Sequence, residues 1–171
     1  MLVTSCAGAV IVHQATPNPF SKTSRFWCEP VETKGVTGDT TEGALRIDPH
    51  IMTPEHVDND AVTRLFRHQA AALGGCANSD ETDPRGPFDF HVRATLQSFH
   101  NYSVTGRSTG LPRADPRVDL TMRVTISDGN GKLLDELKIS LTRADLPQAL
   151  SAAAEQWSTY LNQRAGSHVR F

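Results

Sequence analysis

The chain has 171 residues, 38% of them hydrophobic and 21% charged, with a formal net charge of -2 at pH 7. That length suits one domain with a real core, and the mixed charge excludes a basic stripe for nucleic acid and a long like-charge tail. No apolar run is long enough to span a bilayer, and the low hydrophobic fraction predicts long polar loops beside a compact core.

At the N-terminus, Leu2-Val3-Thr4-Ser5-Cys6 sets an aliphatic residue and small residues before a cysteine. This resembles a bacterial lipobox, whose cysteine is lipidated and becomes the mature N-terminus. A secretory leader needs a charged n-region and an apolar h-region, and only five residues precede Cys6. The resemblance therefore implies coding sequence upstream of Met1, with residues 1–5 as the remnant of a signal. The alternative is a chance match without lipid. If Cys6 is lipidated, Cys28 and Cys76 remain, which permits one disulfide in an oxidising compartment. Their other reading is a buried strand thiol and a free thiol after a helix. The three cysteines fit no zinc pattern of paired CxxC or CxxH units.

Residues 6–23 contain a short apolar patch and then Pro17, Asn18 and Pro19. Proline denies the chain regular hydrogen bonds, so this stretch is expected to be a lipidated tether; an edge strand from Ala9 to His13 is the alternative. Ser24 to Thr33 is the first expected strand. Phe26, Cys28 and Val31 would face the core, Trp27 would need cover on the other side, and Pro30 marks an edge or a bulge. Lys34 to Pro54 reads as a long polar loop with a short extended piece at Ala44 to Ile47. A helix follows within Pro54 to Leu73, capped by Thr53 or Asp58. Its apolar stripe is Ala61, Val62, Leu65, Phe66, Gln69, Ala70 and Leu73, with Arg64, Arg67 and His68 off it. Gly74-Gly75 ends it.

A polar segment from Cys76 to Pro87 leads into a second strand, Phe88 to Gln97. There Phe88, Phe90, Val92, Ala94 and Leu96 alternate with Asp89, His91, Arg93, Thr95 and Gln97. His100 to Arg117 reads as a loop carrying Arg107, Arg113 and Arg117, either an anion-binding loop or a solvated one. Val118 to Arg143 is the clearest element. Val118, Leu120, Met122, Val124 and Ile126 alternate with polar residues, Asp128-Gly129-Asn130-Gly131 turns, and Leu133, Leu137, Ile139 and Leu141 return. Asp135 interrupts the apolar set where the strand is expected to fray into water. The last helix spans Leu146 to Arg164, capped by Asp145, with Ala149, Leu150, Ala153, Trp157 and Leu161 on its apolar face. Gly166 ends it, and residues 166–171 are a tail. The order β-α-β-β-β-α predicts an α+β two-layer sandwich over residues 24–165: a mostly antiparallel four-stranded sheet with two helices on one face. The first strand would pair parallel through a right-handed crossover.

Candidate chemistry is sparse. His50, His56, Asp58 and Asp60 are proper metal ligands by type, but their spacing matches no metal motif and a solvated helix start explains them better. His91 and Arg93 lie on the polar face of the second strand, where cross-strand pairing is the simplest role. There is no phosphate loop, dinucleotide fingerprint or GxSxG elbow, and Cys76 with His68 lacks an orienting third group. No catalytic, metal or cofactor residue is assigned.

The lipobox-like LVTSC, the strand FDFHVRATLQSF, the hairpin VDLTMRVTISDGNGKLL and the C-terminal amphipathic helix together resemble small Gram-negative envelope lipoproteins of the YajG-like type. They also resemble related lipoprotein families with a TolB-N-terminal or LpoB-like α+β fold. The resemblance implies a non-enzymatic lipoprotein at the outer membrane, anchored by acyl chains on Cys6 and facing the periplasm. It would bind an envelope protein partner through its open sheet face, an edge strand or its long loops, with no cofactor and no nucleic acid. The alternative is a soluble α+β domain without lipid, a small enzyme or a subunit, using His91 or the His50/His56 loop.

Overall fold

The alternation from Val118 onward does build the centre of the fold. In the computed structural model, which describes residues 8–33, 59–72, 75–76, 88–108 and 111–166 (backbone alone at 59, 61 and 101–116), five strands and two helices form. They are β1 (Ala9–Gln14), β2 (Phe26–Cys28), α1 (Asn59–Ala72), β3 (Phe90–Ser108), β4 (Leu111–Asp128), β5 (Leu133–Arg143) and α2 (Leu146–Ala165). One sheet has the order β1-β5-β4-β3-β2. Neighbours are antiparallel except β2 and β3, which run parallel across the α1 connection. The architecture is α+β with a mixed sheet and two helices.

Val92, Ala94, Leu96, Leu120, Met122, Val124, Ile126, Leu137 and Ile139 make the dry face of the sheet, and α1 and α2 join the same core through Val62, Phe66, Leu150, Trp157 and Leu161. Each of these is nearly or wholly removed from water, the bulk driving force for the fold. The Asp145 side chain accepts from the Gln148 N–H at 2.8 Å, and Gly166 closes α2 at φ 67, the cap pair expected from the sequence. At the turn, Gly131 has φ 81 and the Asp128 carboxylate accepts the Asn130 and Lys132 N–H groups.

Four expectations need correction. The sheet has five strands, not four, because Ala9–Gln14 pairs antiparallel with β5 in the stretch expected to be a tether. The prolines at 17 and 19 follow this strand, so they do not deny it a ladder. Second, of the expected loop from His100 to Arg117, residues 100–108 and 111–117 are strand. The β3–β4 ladder continues from Phe90↔Asp128 to Ser108↔Leu111, whereas β4–β5 pairing stops at Val118↔Arg143. A two-stranded ribbon of about 25 Å therefore extends past the sheet. Among the described residues no third strand pairs with it, and Pro112 and Pro116 are tolerated on such an edge.

Third, α1 is rotated from its expected stripe. Thr63 and Arg67 are buried with Val62, Phe66 and Ala70, while Leu65 is exposed. The cause is β2 and the chain just after it: Thr63 Oγ1 accepts the Val31 N–H at 2.9 Å, and Arg67 Nε donates to the Cys28 carbonyl at 2.9 Å. Arg67 also covers the Trp27 ring at 5.6 Å, and the Phe88 ring stands 5.1 Å from it. Burial lowers the Arg67 pKa from its ordinary value.

Fourth, Asp135 does not fray into water; it is fully buried. Its carboxylate accepts from the Ala15 N–H (2.9 Å), the Tyr160 hydroxyl (2.6 Å), and Arg164 Nε (2.9 Å) and Nη2 (3.2 Å). Arg164 Nη2 also donates to the Ala15 carbonyl, and its guanidinium lies over Phe20 at 5.5 Å. Burial and the bond to Asp135 push the Tyr160 pKa well above its ordinary value. This clasp holds the N-terminal segment onto β5 and α2.

Candidate functional site

The face of the sheet away from the helices is wet and charged. Its period-two residues line up in rows across the strands. Val10, Lys138, Arg123 and Thr95 make one row, and His13, Glu136, Thr125 and Arg93 the next. Arg123 grips Glu136 with two bonds, Nε to Oε1 at 2.7 Å and Nη2 to Oε2 at 2.9 Å. That fork holds the Glu136 carboxyl below its usual range and raises the Arg123 pKa.

Beside this row lies a cleft of about 440 Å³. Its floor is His91, Arg93, Thr125 and Ser127, one wall is Glu29, and the rim is the Asp128–Gly131 turn with Leu133. Each part has a local origin. Parallel pairing of Cys28 with Val92 carries Glu29, the next residue, alongside β3. Antiparallel pairing puts Ser127 opposite His91 and Thr125 opposite Arg93. Glu29 is the hub: its Oε2 accepts from Arg93 Nε at 2.8 Å, and its Oε1 lies 3.7 Å from His91 Nδ1. The bond to Glu29 raises the Arg93 pKa. Carboxylate, imidazole, guanidinium and two hydroxyl-bearing residues in an open cleft suit recognition of a polar surface. The solvated pair Glu29–Arg93 is worth little to stability, so its side chains are free to exchange partners.

The disulfide is formed: Cys28 and Cys76 are bonded, with Cα atoms 5.6 Å apart. It ties β2 to the chain just after α1, immediately behind the wall of the cleft. Next to it, Gly75 donates to the Ala70 carbonyl at 2.6 Å. Of the expected site residues, His91 is in the cleft. Arg117 is exposed on β4, while Arg107 and Arg113 lie on the ribbon backbone at Arg107↔Pro112 and Gly106↔Arg113. The three arginines therefore belong to paired strands, not to a loop. Asp60 sits in the first turn of α1. Cys6, His50, His56 and Asp58 lie outside the described residues, and among the described residues no three His, Cys, Asp or Glu side chains are grouped to hold a metal. Sequence reading missed Glu29. Its signal was the alternation itself, since the residue after core-facing Cys28 must point to the wet face.

No protein-family model and no curated protein sequence matches the chain. Among solved structures, it is similar to the PelC dodecamer from Paraburkholderia phytofirmans, at 10% identity and a TM-score of 0.43, over 94% of this chain and 99% of that one. A point variant of the same dodecamer gives 9% identity and a TM-score of 0.43, over 92% and 96%.

Proposed function

We propose that this chain is a non-enzymatic lipoprotein of the bacterial envelope, anchored through Cys6 at the outer membrane. Its α+β domain faces the periplasm and binds an envelope protein. The observation that carries the reading is the Cys28–Cys76 disulfide, because such bonds persist in oxidising compartments and are rare in a reducing cytosol. The LVTSC sequence supports the anchor. The open polar cleft around Glu29 supports a binding role, since it offers charge and hydrogen bonds on an accessible face. Two or three acyl chains on one cysteine give the firm attachment that a single chain does not.

The test is the form of Cys6 in the native host. The gene, with its natural upstream DNA, is expressed in cells fed a labelled fatty acid, as wild type and Cys6→Ala. Label in the membrane fraction that vanishes in the variant supports the proposal; an unlabelled soluble protein refutes it. A soluble enzyme is the second reading, favoured by the Glu29–His91 pair. It requires that His91→Ala abolish the function of a still-folded protein.

A further inference from the structure

We propose that β1 is a membrane-contact strand, with the lipid bilayer surface as its occupant; the inference rests on acylation of Cys6. β1 is the outermost strand of the sheet, and its Val10, Ile11 and Val12 side chains are 63%, 43% and 56% exposed. Three consecutive apolar side chains on an open edge are a feature that proteins normally blunt with charge or proline. What covers them follows from the chain ahead of them. Gly8 is already fixed to β5: its carbonyl accepts the Ser140 N–H at 2.7 Å, and a Cβ added to it would stand 2.8 Å from the Ser140 carbonyl oxygen. Ala7 alone separates Gly8 from Cys6.

Covalent reach then decides the geometry. Four residues from Cys6 to Val10 span at most about 14 Å. An acylated Cys6 sits at the lipid headgroup level, and the headgroup region is itself several ångströms deep. A domain clasped to its own N-terminal strand by Asp135 and Arg164 cannot swing away on a tether. Its β1 edge is instead delivered to the interface, where exposed apolar side chains enter the headgroup boundary. The neighbouring chemistry agrees. Lys138 is exposed and pairs in register with Val10. A long basic side chain beside an apolar edge suits anionic headgroups. The cleft at Glu29 lies toward β2, the opposite sheet edge, and so faces away from the bilayer.

The test uses full-length protein from a host that acylates lipoproteins, with the N-terminal peptide mass reporting the state of Cys6. Val12→Trp and, as a control, Leu65→Trp are reconstituted in phosphatidylethanolamine–phosphatidylglycerol vesicles with brominated acyl chains. Leu65 is exposed on α1, the helix bonded to β2 at the far edge. The native Trp27 and Trp157 are buried and give a constant background. The expected result is loss of about half or more of the emission added at position 12, with a blue shift, and no loss at position 65. Acylated protein whose position-12 emission is unquenched overturns the membrane contact and leaves the anchor standing. A blue shift without quenching that depends on protein concentration overturns it in favour of a second copy of the chain. Unacylated Cys6 in the native host overturns the anchor and the contact together.

Discussion

Replacing Asp135 by alanine tests the clasp directly. The change removes four hydrogen bonds and leaves the Arg164 guanidinium, whose side chain is only 14% exposed, without its counter-ion. Breaking one partner of such a buried pair costs about 3–5 kcal/mol. At about 2–4 °C per kcal/mol for a domain of this size, the midpoint falls by about 6–20 °C. The loss is local first. Ala15 is held by its N–H to Asp135 and by its carbonyl to Arg164, so β1 amides should lose hydrogen-exchange protection before those of β4. The assay is thermal and urea unfolding with amide exchange on Asp135→Ala, Arg164→Met and the pair Asp135→Leu/Arg164→Met. The double variant carries no buried unpaired charge, and its loss should be smaller than that of Asp135→Ala. A single variant within about 1 kcal/mol of wild type, with β1 protection intact, would refute the reasoning.

Three further outcomes follow. Reducing the Cys28–Cys76 bond, which closes a span of 48 residues, should cost about 2–4 kcal/mol, read as a lower urea midpoint with reductant; an unchanged midpoint is the contrary result. Gly75→Ala would set a Cβ 2.5 Å from Ser158 Oγ and 3.1 Å from Trp157 Nε1. It should destabilise by about 1–3 kcal/mol in chemical denaturation, whereas Gly129→Ala, with open space around it, should not. Arg123 lowers the folded-state pKa of Glu136. This pair's stabilisation is therefore present above the unfolded carboxylate value and is lost as pH falls through the lower folded one. An NMR titration should show the Glu136 midpoint rising in Arg123→Gln, and an unmoved midpoint would break the assignment.

The local half of this protein was legible from its residues. Strict alternation specified the strands around Val92 and from Val118 to Ile126, because a one-residue slip would turn every apolar side chain into water. Asp145 and Gly166 bounded α2 through cap chemistry that needs no distant partner. The cysteine pair was available but undecided: two thiols 48 residues apart in sequence bond only if the fold brings them together. The wet face carrying His91 and Glu29 was readable from alternation, yet their meeting was not, since the register of β2 against β3, Cys28 beside Val92, is a long-range choice.

The ribbon, the clasp and the fifth strand belong to the tertiary structure. Residues 100–117 carry no clean alternation, so nothing local distinguishes a loop from a ribbon, and the growing β3–β4 ladder recruits residues 100–108 and 111–117. Asp135 looked like a solvated break in an apolar strand. It becomes a wholly buried charge because Arg164 and Tyr160, 29 and 25 residues later, and Ala15, 120 residues earlier, all meet it. Local sequence sets which face of an element is dry, because burial acts on side-chain period. Whether a polar residue on that face is a flaw or a fastening depends on partners that only the folded chain assembles.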